Sequence, residues 1–162
     1  MSDVRGKLKL GKYEFEVEEN DWTKLSFSES DEEEYEDADE VPLTVSMEVR
    51  FREGSFAASP EDEEETASPM FIINPFETGK YSIEDCIGMT FSVSNVEEAD
   101  EREDSFYVFE HEPFMDYSFT IVDIKDGIAH ITISGTAITD GYSRPVKTEK
   151  FSGEFWIETE SY

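Results

Sequence analysis

Cysteine is almost missing from this chain. Cys86 is the only one among 162 residues, so no disulfide can form within it and a cysteine-rich metal site is excluded. Cys86 itself is expected to be a small core residue. Histidine is nearly as scarce. With only His111 and His130 available, Ser-His and Cys-His pairs for nucleophilic catalysis are few, and no Gly-x-Ser-x-Gly elbow occurs. The 9 glycines are scattered, with no Gly-x-Gly-x-x-Gly or Gly-Lys-Ser/Thr run to cradle a phosphate. No calcium loop of the Asp-x-Asp-x-Asp-Gly type appears, and the acidic run from Glu29 to Glu40 contains no glycine for the sharp turn such a loop needs. These absences lead to the expectation of a protein that is not an enzyme and carries no cofactor or metal.

Long apolar runs are absent too. No segment approaches a membrane span, and the N-terminal stretch Met1 to Leu10 lacks the apolar core of a signal peptide, so a cytoplasmic protein is expected.

Positive charge is the last scarcity: 13 Lys and Arg stand against 41 Asp and Glu, a formal charge of -28. A field of that sign repels nucleic acid and anionic membrane and attracts basic proteins, chiefly by raising association rates. Nearly half of the acid lies in three runs. Glu29 to Glu40 holds 9 carboxylates, Glu61 to Glu65 holds 5 and Glu97 to Asp104 holds 6. Runs this dense repel themselves and lack apolar periodicity, so 29–40, 60–67 and 97–105 read as exposed loops on a single domain spanning 1–162. Salt adaptation would instead spread carboxylate over the whole surface.

What the chain has in quantity is aromatic residues, 14% of the total with 13 Phe, and alternation of period two. From Leu43 to Arg52 every odd position is apolar and every even one polar, which marks a half-buried strand. Shorter alternation surrounds Leu25 and Phe27, runs from Met89 to Asn95, and returns at Phe106 to Phe109. The run Met70 to Ile73 is continuously apolar and ends at Asn74-Pro75. Asp126-Gly127 marks a hairpin. A three-residue loop of Lys125, Asp126 and Gly127 is favoured because it pairs Ile124 with Ile128, Ile121 with Ile131 and Phe119 with Ile133 on one face. A two-residue loop would set the apolar faces against each other. The last strand, from about Val146 to Glu158, places Trp156 on its polar side. The only helix start, at Ser82, is stopped by Gly88, limiting helix to a short piece near 82–87. Eight or nine short strands with so little helix indicate an all-β fold, an antiparallel sandwich or a small barrel.

Three readings of function follow. The first is a non-enzymatic binding protein that captures or neutralises a basic protein partner, of the inhibitor, immunity-protein or nucleic-acid-mimic type. Glu14, Glu16 and Glu18 alternate along one strand at roughly 6.6 Å spacing, close to that of adjacent phosphates, and would be fixed in space. Tyr107, Tyr142 and Trp156 are candidate aromatic anchors. The second reading is a carrier holding a small apolar ligand in a phenylalanine-lined barrel. The third is an assembly or scaffold component. Glu110-His111-Glu112 also attracts notice as an acid/base or metal cluster, but strand geometry would send both glutamates to one face and His111 to the other.

Overall fold

The computed structural model describes residues 3–58 and 61–161, so the two ends of the chain and the start of the 60–67 run lie outside the described residues. In chain order the strands are β1 (Arg5–Leu10), β2 (Tyr13–Glu16), β3 (Lys24–Glu29), β4 (Leu43–Arg50), β5 (Gly54–Phe56), β6 (Glu65–Ala67), β7 (Met70–Glu77) and β8 (Thr90–Val93). After helix α1 (Val96–Arg102) come β9 (Ser105–Tyr107), β10 (His111–Glu112), β11 (Phe114–Lys125), β12 (Ile128–Asp140) and β13 (Lys147–Ser161). Nine of them form one curled sheet in the order β10-β9-β7-β4-β3-β13-β12-β11-β8, to which β1 and β2 attach through β13. The fold is mostly β and half-barrel in shape. Its strand pairs are antiparallel except for β13 with β3, which run parallel.

Alternation places the core. Val45, Met47, Val49 and Phe51 are buried along β4 and its continuation, facing Phe71 and Ile73 of β7 and Phe151, Phe155 and Ile157 of β13. Met70 and Ile72 are only half-buried, so β7 is covered on one face, and it runs on through Asn74-Pro75 to Glu77. The phenylalanines that would line a ligand cavity pack on one another instead. Phe71 lies 5.9 to 6.2 Å, centroid to centroid, from Phe51, Phe106, Phe114 and Phe155. The opposite face carries hydroxyl ladders. Thr90, Thr120 and Thr132 stand side by side across β8, β11 and β12, and Ser92, Ser118, Ser134 and Ser152 form the next row, continuing onto β13. These rows are free of carboxylate across β8, β11 and β12, and the threonine row meets Glu154 where it reaches β13.

The β11–β12 hairpin corrects the expected loop. Lys125 pairs with Ile128 and Ile124 with Ala129, a two-residue turn in which Asp126 (φ 53) and Gly127 (φ 77) are both left-handed. A bulge between Ile121 and Asp123 then absorbs Val122, and the expected pairs Ile121 with Ile131 and Phe119 with Ile133 follow. The bulge removes the conflict of faces that had counted against the shorter turn.

Two further departures concern helix and charge. The segment near 82–87 holds only a 3-10 turn over Glu84–Cys86, with Cys86 buried as expected, while the α-helix lies in the 97–105 run read as a loop. Asn95 caps it by accepting the Glu98 N–H at 2.8 Å, and Glu97 and Glu98 sit in the first turn, where the helix dipole favours them. Glu103 (φ 61) ends the helix in the left-handed region and turns Asp104 inward, where its side chain is fully buried. In the 29–40 run, Glu29 closes β3 and Glu33–Tyr35 forms a 3-10 turn, with the residues from Asp31 to Glu40 exposed apart from half-buried Tyr35. In the 60–67 run, Glu65–Ala67 is a strand.

Buried Asp104 closes the seam between β7 and β11. It accepts from Arg102 Nε at 2.7 Å, from the Tyr117 hydroxyl at 2.7 Å and from the Asn74 N–H at 2.7 Å. Arg102 donates to the carbonyls of Asn74 and Pro75, occupying part of the β7 edge that lacks a strand neighbour, and lies 3.7 Å over the ring of Phe76. Phe76 in turn meets Phe91 at 5.2 Å. Burial, then the hydrogen bond to Asp104, pushes the Tyr117 hydroxyl well above the ordinary phenol range. A phenol with a raised folded value contributes its stability fully below about pH 10, and loses it as pH rises through the folded value. Urea-unfolding stability is therefore expected to fall as pH rises past about 10, with Tyr117→Phe flattening that fall. An unchanged alkaline limb in the variant would remove Tyr117 as its cause.

Candidate functional site

At the end of the sheet where β12 finishes and β13 begins, the chain forms a cavity of about 410 Å³. Three unrelated pieces of sequence build it. The β5–β6 hairpin pairs Phe56 with Glu65 and brings Asp62 and Glu63 alongside. The short β10, paired on β9 through His111 with Tyr107 and Glu112 with Phe106, brings Glu110 and Glu112. The end of β12 supplies Asp140, Gly141 and Tyr142. The wall thus carries six carboxylates, those of Asp62, Glu63, Glu65, Glu110, Glu112 and Asp140.

Its floor is apolar. Phe56 is buried between Tyr13, at 5.1 Å, and Phe109, at 5.9 Å, so the aromatic base is held from both sides. Tyr142 stands at the rim, 78% exposed. Its position is set by Asp140, whose carboxylate accepts the Tyr142 N–H and the Ser143 hydroxyl, each at 2.9 Å. Those bonds, Ser143 first, hold the Asp140 carboxyl below its usual range. Gly141 makes room for Glu112: a Cβ there would fall 2.3 Å from the Glu112 carboxylate. Lys147 reaches Asp62 at 3.1 Å from the side.

Chemically, the arrangement suits an organic cation better than a metal ion. No group of three or more His, Cys, Asp or Glu among the described residues is set closely enough to hold a metal ion. Carboxylates spread around a cavity of this size suit a larger positive group, a guanidinium or ammonium on an alkyl stem, whose methylenes can lie on Phe56 and Phe109.

The residues singled out from the sequence are not gathered in one place. Tyr142 is in the acidic cavity. Glu110 and Glu112 do face one way, into that cavity, while His111 turns aside onto the Tyr107 ring at 4.9 Å. Glu14 and Glu16 lie exposed on β2, but Lys9 and Lys7 of β1 are their cross-strand partners, so the row is bordered by positive charge. Glu18 binds the side chain of Asn20 at 3.2 Å. Trp156 is on the outer face as expected, stacked on His130 at 4.3 Å and covered by the Arg5 guanidinium at 4.3 Å. Sequence reasoning had no signal for Asp62, Glu63, Glu65 and Asp140 as a set, because only long-range pairing brings them together.

Compared with protein-family models, with curated proteins and with solved structures, the chain matches none of them.

Proposed function

We propose that the protein is a non-enzymatic binding protein that captures or neutralises a basic protein partner, taking one of its arginine or lysine side chains into the acidic cavity. The observation that carries this reading is the convergence of six carboxylates on an aromatic floor at one end of the sheet. The surrounding charge of -28 steers a basic partner from a distance, and the cavity supplies a fixed place for it to arrive. Exposed Tyr142 at the rim is the anchor, a rigid amphipathic side chain that contributes contact area at small entropic cost. Loop carboxylates such as Glu33 and Glu34 raise the encounter rate without fixing a geometry.

An arginine-rich peptide is the direct probe. Glu110→Gln/Glu112→Gln is expected to weaken its binding, followed by calorimetry at physiological salt, by roughly 10- to 100-fold, since glutamine keeps an acceptor oxygen and loses only the charge assistance, about half of the roughly 1.5–3 kcal/mol of each bond. Glu33→Gln/Glu34→Gln removes the same formal charge and is expected to change affinity less than about threefold. Equal losses in the two double variants would mean that charge alone, with no site, explains the binding.

A further inference from the structure

A second cavity, of about 510 Å³, lies toward the opposite end of β13 beside Trp156. Trp156 and Lys147 are separated along β13 by a distance of roughly 30 Å at strand rise, so this cavity is far from the acidic one. Its character is reversed. Arg5, Lys7 and Arg52 line it, 3 of the chain's 13 basic residues, against the two carboxylates of Glu16 and Glu154.

Each of these groups has an identifiable arrangement. Alternation along β1 sends Arg5 and Lys7 to the same outward face. Gly6 between them has φ 139, and a Cβ there would fall 2.3 Å from the Glu154 carbonyl oxygen, so only glycine lets β1 lie this close to β13. Arg5 is committed to the face of Trp156, which stacks on His130, and His130 engages Glu154 at 2.8 Å. One of the two carboxylates therefore already has a partner. Lys7 and Arg52 are exposed and form no ion pair among the described residues. Lys7 stands in register with both Glu16 and Glu154, and with Arg5 and Arg52 the wall still carries three cations against two carboxylates, a net positive patch in a chain with 41 acids.

We infer that this cavity binds a compact oxyanion, a carboxylate or phosphate carried by a small organic molecule, held by Lys7 and Arg52 beside the edge of the Trp156 indole, whose faces His130 and Arg5 cover. Guanidinium and ammonium groups meet such oxygens with charge-assisted hydrogen bonds, and the guanidinium fork matches them in a bidentate way. The negative charge of the rest of the molecule slows the approach of an anion. It decides little at contact, because exposed charges beyond roughly 8 Å are screened at physiological ionic strength. The site is independent of the proposed capture of a basic partner and takes a ligand of opposite sign.

The chain's two tryptophans, Trp22 and Trp156, make the test optical. In a Trp22→Phe background the emission reports Trp156 alone, and the protein is titrated with inorganic phosphate and, separately, with benzoate, each at ionic strength matched by sodium chloride. A saturable change with either anion is expected, and the one that produces it identifies the oxyanion. Lys7→Gln/Arg52→Gln is expected to weaken that response at least tenfold, and Lys9→Gln/Lys125→Gln to leave it unchanged. No saturable change beyond the chloride reference, or an equal loss in the two double variants, would overturn the site.

Discussion

Asp104→Ala is expected to lower the stability of the fold by about 3–5 kcal/mol, the range for breaking a buried ion pair by removing one partner. The reason lies in what is left behind. Arg102, the Tyr117 hydroxyl and the Asn74 N–H all donate to this one carboxylate, whose side chain has no exposure at all. Truncation leaves the half-buried Arg102 guanidinium without its counter-charge, and the buried Tyr117 hydroxyl and the Asn74 N–H without an acceptor. It also loosens Arg102, which covers Phe76 and bonds the open edge of β7. At roughly 2–4 °C per kcal/mol for a domain of this size, the midpoint of thermal unfolding should fall by about 6–20 °C. Asp100→Ala, on the exposed side of the same helix, is the control and should stay within about 0.5 kcal/mol. An Asp104→Ala midpoint within a degree or two of the parent would show that the seam is held by apolar contacts alone.

Phe71→Ala should have an effect of similar size, about 3–5 kcal/mol, by a different mechanism. Phe71 is fully buried, and its ring touches rings contributed by the residue after β4 and by β9, β11 and β13. Those neighbours sit on paired strands, so they cannot collapse far into the space an alanine leaves, and the cavity term adds to the lost transfer energy. Tyr81→Ala removes an aromatic ring of comparable size that is 53% exposed, and is expected to change stability by less than about 1 kcal/mol. Chemical denaturation of the two variants makes the comparison. A cost below about 1.5 kcal/mol for Phe71→Ala would mean that the aromatic interior repacks freely.

The two predictions rest on features of unequal legibility. Phe71 belongs to an apolar run that marks a strand on inspection, and its burial follows. Asp104 belongs to a run whose charge density led to the expectation of an exposed loop. The signals for helix lie in the same residues, Asn95 followed at the third position by Glu98, then Ala99 and a terminal Arg102, and a reading from charge density that takes Ser82 as the only helix start passes over them. Repulsion among solvated carboxylates is screened and small, whereas a satisfied cap and a buried anchor at the end of the helix are not.

The candidate site divides in the same way. That Glu112 and His111 point opposite ways is a matter of strand parity, and it was legible, whereas Glu110 lies in the bend before β10 and reaches the cavity through the turn of the β9–β10 hairpin. That Asp62, Glu63, Glu65 and Asp140 meet them was not, because the β5–β6 hairpin and the end of β12 reach the same place only through the curl of the sheet. The row of Glu14 and Glu16 shows the converse. Its spacing was readable, but the lysines opposite it depend on the pairing of β1 with β2.

By itself, then, the sequence determined the mostly β character, the buried faces of the long alternating strands β4, β11, β12 and β13, the pairing of Phe119 with Ile133 and Ile121 with Ile131, and the sign of the protein's field. These depend on period two and on composition, which are local or summed quantities. Only the tertiary structure decided where the charge gathers, which carboxylate is buried, that Val122 bulges so a two-residue turn suffices, and that Arg5, Lys7 and Arg52 meet at Trp156. Each of those depends on contacts between residues far apart in the chain, whose register no local pattern encodes.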